Sequence, residues 1–168
     1  MQWINITLLL LIVTSAITDV KERKIYNTQT YSAMALGLII HFFCHGVNGF
    51  LFSLCGLGIG TLLLIFFYFI GGIGAGDVKL LAAIGALKGS SYAIETMFYA
   101  ALIGGCMALM IMIRQRTFIQ TVKNSVQYIC HPISYSQDDS VNHQYLPYGV
   151  AISLGCAITY VISYMKSF

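Results

Sequence analysis

Trp3-Ile4-Asn5-Ile6-Thr7-Leu8-Leu9-Leu10-Leu11-Ile12-Val13-Thr14-Ser15-Ala16-Ile17-Thr18-Asp19 is the stretch on which the fold turns. No charge interrupts it before Asp19, and no Lys or Arg precedes it. A cleavable signal peptide carries a basic segment ahead of its apolar run, so this run is expected to be retained as a membrane helix. Its end is abrupt: Asp19 follows at once, then Lys21, Glu22, Arg23 and Lys24.

The remainder of the chain repeats that pattern. Of 168 residues, 58% are hydrophobic and only 9% charged, whereas about a quarter of an ordinary soluble domain is charged. Further apolar segments occupy about 31–47, 50–70, 78–89, 92–113 and 146–165. At about 20 residues per crossing, the expected fold is an all-α integral membrane protein of about six transmembrane helices. The segment at 78–89 is the weakest, since 12 residues rise only about 18 Å. It must be shortened, extended or set inside the protein, with Lys79 and Lys88 reaching opposite interfaces. The whole chain, 1–168, reads as a single membrane-embedded domain. The five cysteines lie singly, with no Cys-x-x-Cys pair, and read as small apolar packing residues. Gly56 with Gly60, and Gly104 with Gly105, read as points of close helix packing in lipid.

Charge sets the expected orientation. With residue 1 outside, Lys21, Arg23, Lys24, Lys79, Arg114, Arg116 and Lys123 fall inside, against Lys88 and Lys166 outside. The polar stretch at about 114–145 becomes a cytoplasmic loop, in which Phe118, Ile119, Val122, Val126 and Ile129 recur at helical spacing and suggest a helix on the inner leaflet. The net charge of +3 is explained by this topology, and no nucleic-acid partner is inferred.

Among six acidic residues, Asp19 and Asp77 stand apart by position. Asp77 ends the glycine-rich turn Gly71-Gly72-Ile73-Gly74-Ala75-Gly76. Two complete crossings separate it from Asp19, so both carboxylates return to one face. Paired at the edge of a low-dielectric medium, they cannot both ionise easily, and one shared proton lets the pair act as acid and base together. One member then draws a proton from water that attacks a peptide carbonyl, while the other supports the oxyanion. Position alone leaves a second reading open: Asp77 as a helix cap and Asp19 as an interfacial charge that helps set topology. Gly74 and Gly76 are likewise either a flexible turn or a surface that lets a substrate backbone come close to Asp77.

The segment Gly74-Ala75-Gly76-Asp77-Val78-Lys79-Leu80-Leu81-Ala82-Ala83-Ile84-Gly85 resembles the GxGD signature of the type IV prepilin peptidase family. With Asp19 upstream and Leu146-Pro147-Tyr148-Gly149-Val150-Ala151 downstream, three motifs of that family occur in order. The resemblance implies a six-helix aspartic peptidase that needs no cofactor or metal and removes the basic leader from type IV pilin-like precursors. The site would lie at the cytoplasmic face of the inner membrane. It puts Asp19 and Asp77 in the catalytic positions and Gly74, Gly76, Lys79, Pro147 and Tyr148 beside the substrate. Asn27 also matches, whereas Tyr26 stands where many relatives have proline. The N-terminal region with paired Cys-x-x-Cys motifs that accompanies N-methylation in two-function members has no counterpart here. The resemblance is therefore to the short Tad/Cpa-type form, and methylation is not expected.

Lys79 reads either as a contact to the acidic pair or substrate, or as a snorkelling charge. His41, His45, His131 and His143 lack metal-ligand spacing. Two other functions compete. A small carboxylate-dependent transporter would use intramembrane acids as proton relays, and inverted repeats would favour it; none is seen. A presenilin-like intramembrane protease would share GxGD, but the interfacial position of both aspartates and the longer motif favour the prepilin reading.

Overall fold

The computed structural model describes residues 2–114 and 148–166. Among these the structure is helical, without strands: α1 (Gln2–Glu22), α2 (Asn27–Phe69), α3 (Ala75–Lys88), α4 (Ser90–Arg114) and α5 (Tyr148–Met165). Four of them, α1, α2, α4 and α5, are long and apolar enough to cross a membrane. Large apolar side chains such as Trp3, Leu9, Phe43, Phe69 and Leu102 face outward, as a lipid-facing surface requires.

Helix α1 ends where Arg23 adopts a left-handed conformation (φ 53°), a common helix stop, with Lys21 in the last turn favourably placed for the helix dipole. Tyr26 then precedes α2 in extended conformation. Its hydroxyl donates to Glu22 Oε2 across the loop, and that exposed carboxylate raises the phenol above its ordinary pKa.

The 43 residues of α2 would measure about 65 Å if straight, twice the thickness of a hydrocarbon core. They do not run straight. Gly46 has φ 60° and ψ −141°, open only to a residue without a side chain. His41 Nε2 donates to Leu87 O at 3.0 Å and Ser53 Oγ to the adjacent Ala86 O at 2.7 Å. In a straight helix residues 41 and 53 would stand about 18 Å apart, so α2 is a hairpin of two arms, 27–45 and 47–69. Both hydrogen bonds fall on carbonyls of the last turn of α3, which have no partner within their own helix.

Helix α3 is the axis of this arrangement. From Asp77 to Leu87 every side chain except Lys79 is buried. Its 14 residues span only about 21 Å, and the two arms of α2 sheathe it. A Cβ on Gly56 would run into the carbonyl oxygen of Gly85, and one on Gly85 into that of Gly56, so the second arm meets α3 backbone to backbone. Gly60 also packs closely on Leu81 and Ala82, though less tightly. Lys79 and Lys88 sit at opposite ends of α3 as expected, yet neither reaches freely for an interface. Lys79 Nζ donates to Asn27 Oδ1 at 2.8 Å. The half-buried Lys88 Nζ donates to Asn5 Oδ1 at 2.6 Å and lies 5.6 Å from the ring centres of both Tyr92 and Tyr160. Tyr92 Oη in turn donates to Cys156 O at 3.0 Å, joining α4 to α5.

Two expectations need correction. Of the four described cysteines only Cys156 is buried; Cys44, Cys55 and Cys106 are exposed on outer helix faces rather than packed. No described residue lies within 4 Å of where a Gly105 side chain would begin, so among the described residues it marks no close contact. The chain divides into two units, Met1–Ile103 with Pro147–Phe168, and Gly104–Leu146. The described part of the second is the final stretch of α4. The expected cytoplasmic loop and its inner-leaflet helix lie outside the described residues.

Candidate active site

The buried face of α1 is Ile4, Leu8, Leu11, Ser15 and Asp19, steps of three and four that keep one side of a helix toward the core. The stripe is apolar until its last two members. Asp19 is therefore not a solvated neighbour of Lys21 and Arg23: it is 1% exposed. Its Oδ2 accepts the Val150 N–H at 3.0 Å, in the first turn of α5, where amides have no helical partner and the dipole favours negative charge. Its Oδ1 is buried with no hydrogen-bond partner among the described residues.

Asp77, 4% exposed, sits in the first turn of α3, where Oδ2 accepts the Gly74 N–H at 3.3 Å. It does cap its helix. That contact engages only one oxygen, and the charge of Asp19 acts on Asp77. Capping and pairing are thus compatible in one side chain.

Ile25 binds the two halves together. A Cβ on Gly76 would lie 3.0 Å from Ile25 Cβ, and one on Gly149 would lie 2.9 Å from Ile25 Cδ1 and 2.8 Å from Asp19 Oδ2. The α1–α2 loop, the start of α3 and the start of α5 therefore converge on one point, which holds both carboxyls. Buried and mutually repelling when ionised, such a pair favours the state in which one proton is shared.

The other expected residues are distributed unevenly about this point. Gly74 lies beside Asp77, where a Cβ would be 3.3 Å from Oδ2. The close approach at Gly76 is made by Ile25 of the chain itself. Lys79 is engaged with Asn27 and stands 5.1 Å from the centre of the Tyr31 ring. Tyr148 is the first residue of α5 and half-buried; Pro147 lies outside the described residues. Buried His41 is taken up by its bond to Leu87.

Sequence reasoning passed over Ile25, Gly149 and Val150 as parts of the site. A signal existed for Gly149: glycine weakens a helix, so a glycine in the first turn after Pro147 and Tyr148 marks a close approach. Val150 acts through its backbone and Ile25 through shape alone, and neither leaves a mark in residue type.

No curated protein and no solved structure matches the chain. The model of the type IV leader peptidase family matches residues 6–109. That span contains both aspartates, the loop that joins α1 to α2 and the whole of the helix that starts at the GxGD turn. With more than half of its length matched, and with the paired carboxyls set on the segments that the match includes, the chain belongs to the type IV leader peptidase family.

Proposed function

We propose that the protein is a membrane aspartic endopeptidase that removes the basic leader from type IV prepilin-like precursors, with Asp19 and Asp77 as its catalytic pair. The observation that carries this reading is the burial of two interacting carboxyls, drawn from α1 and α3, at one end of the helices of a leader-peptidase relative. A buried acidic pair with a shared proton activates water without a nucleophilic side chain. In this mechanism the ionised carboxyl takes a proton from water as the oxygen attacks the scissile carbonyl. The protonated carboxyl donates to the developing oxyanion, and the tetrahedral intermediate collapses as the amine leaves with a proton.

Orientation follows from the same end of the molecule. Lys21, Arg23, Lys24 and Lys79 lie at the end of the helices that bears the pair, while Asn5, Gly46 and Lys88 mark the far end. The positive-inside rule puts the first group in the cytoplasm, at the inner membrane in a cell that has two. Each arm of α2 then crosses once and α3 returns the chain inside their sheath, which accommodates the expected count of about six segments. A precursor's apolar helix would lie in the bilayer, with its basic leader in the cytoplasm and the junction at the pair. Gly74 and Tyr148 flank that junction in this reading, with Pro147 next to Tyr148 in sequence.

Purified enzyme and a precursor with a basic leader, mixed in detergent micelles, test the proposal by gel mobility. Cleavage at the leader junction is expected from the wild type, and none from Asp19→Asn or Asp77→Asn. An unprocessed precursor with the wild type, or processing by either variant near the wild-type rate, would overturn it.

A further inference from the structure

At the Gly46 turn of α2, at the far end of the molecule from the two aspartates, two imidazoles share one cavity. His41 and His45 stand four residues apart, the interval that puts both on one side of a helix. Their ring centres are 6.3 Å apart. With Asn48, Gly49 and Phe52 they line a cavity of about 290 Å³.

The hydrogen bond of His41 decides its tautomer. The residue is buried, and its Nε2 lies 3.0 Å from Leu87 O. A carbonyl oxygen only accepts, so Nε2 carries the proton and Nδ1 of the neutral ring holds a free lone pair. No described residue donates to that nitrogen. A ring N–H held by a backbone carbonyl is the contact that fixes tautomer and orientation in metal-ligating histidines. His45 is exposed and makes no hydrogen bond among the described residues, so its ring is free to turn. A metal about 2 Å from each ring nitrogen holds two ring centres about 5–6 Å apart. A small rotation of His45 reaches that separation. Of the side chains that line the cavity, only the two imidazoles and the Asn48 amide offer lone pairs to an ion.

We propose that His41 Nδ1 and a ring nitrogen of His45 bind a divalent transition-metal ion at the turn of the α2 hairpin, with Asn48 Oδ1 and water completing the coordination. Two imidazoles and a neutral oxygen suit Zn²⁺, Ni²⁺ or Cu²⁺, whereas Mg²⁺ and Ca²⁺ take oxygen ligands alone. The ion has no part in peptide cleavage. It braces the fold: His41 keeps its N–H on Leu87 O, so an ion on the same ring ties the hairpin turn to the last turn of α3. This pair departs from the expectation that the histidines lack ligand spacing, because two positions on one helix face suffice for a bidentate site.

Calorimetric titration of the purified protein in detergent micelles tests the site. The chain carries no polyhistidine tag, is stripped with a chelator, and has His131→Ala and His143→Ala in place so that only His41 and His45 are read. One Zn²⁺ or Ni²⁺ per chain is expected, and no binding of Mg²⁺. His45→Ala, at an exposed position, should fold as its parent does and bind Zn²⁺ at least about tenfold more weakly. Electron paramagnetic resonance of the Cu²⁺ form should show two nitrogen ligands in the parent and one in His45→Ala. Zn²⁺ at about a hundred times its Kd should raise the melting temperature of the parent by about 5–10 °C and leave that of His45→Ala unmoved. Unchanged affinity in His45→Ala, Mg²⁺ bound as tightly as Zn²⁺, or a parent that binds neither Zn²⁺ nor Ni²⁺ would each overturn the proposal.

Discussion

A carboxyl that is 1% exposed and holds a backbone amide from another helix is maintained against a desolvation cost, and substitution should reveal what it does. Asp19→Asn and Asp77→Asn keep volume and remove one half of an acid–base pair. Each should lower precursor cleavage by about a hundredfold or more, while the protein still extracts from membranes and elutes from gel filtration as the wild type does. A second prediction concerns Gly149, where a Cβ would come within 2.8 Å of Asp19 Oδ2. Gly149→Ala should displace that carboxyl or the Val150 amide and reduce cleavage by about tenfold, with a loss of stability of about 1–3 kcal/mol from overpacking. Normal turnover by Gly149→Ala would mean that α5 does not position Asp19. Both aspartates were legible in the sequence because each breaks an apolar pattern: Asp19 ends a run, and Asp77 ends a glycine turn. The rest of the site was less so. The glycine-lined approach read at Gly76 is occupied by Ile25, a contact between residues 51 positions apart that no local pattern reveals.

Helix α3 looks weak in the sequence for the same reason that it is central in the fold. A segment of 14 residues with a lysine near each end is a poor membrane span by length and charge, and hydropathy reads only length and charge. Its small residues, Ala82, Ala83, Gly85 and Ala86, carry the information that matters, because they let neighbouring backbones approach. The Gly56 and Gly60 pair was readable as a packing stripe; that its partner would be Gly85 of α3 was not, since pairing of helices is a tertiary fact. Gly85→Ala should therefore lower thermal stability in detergent, by about 1–3 kcal/mol for a methyl forced against the Gly56 carbonyl. Gly58→Ala is the contrast: none of the described residues lies within 4 Å of its Cβ position, and alanine in place of a helical glycine is worth about 0.5–1 kcal/mol. Equal melting temperatures for the two variants would show that α2 and α3 do not meet at Gly85.

At the scale of the whole molecule, the alternation of apolar runs and basic clusters was enough to read a multi-pass protein with one charged end. The hairpin in α2 was visible too, as the break between the segments at about 31–47 and 50–70, where His45, Gly46, Asn48 and Gly49 interrupt the apolar run. Labelling with an impermeant thiol reagent checks the orientation. In a chain stripped of its other cysteines, Cys44, exposed near the Gly46 turn, should react from outside intact cells, whereas a cysteine in place of Lys24 should not. The reverse pattern would turn the molecule over and remove the proposed site from a cytoplasmic leader. The sheath around α3 also bears on how such a protein is made. A 14-residue segment that contains Asp77, Lys79 and Lys88 is too short and too polar to leave a translocation channel sideways into lipid on its own. It needs the preceding hairpin already waiting beside the channel, so the two arms of α2 act as an internal chaperone for the helix that bears Asp77. Replacing the arms by a generic leucine hairpin should leave α3 stranded outside the bilayer, accessible to protease.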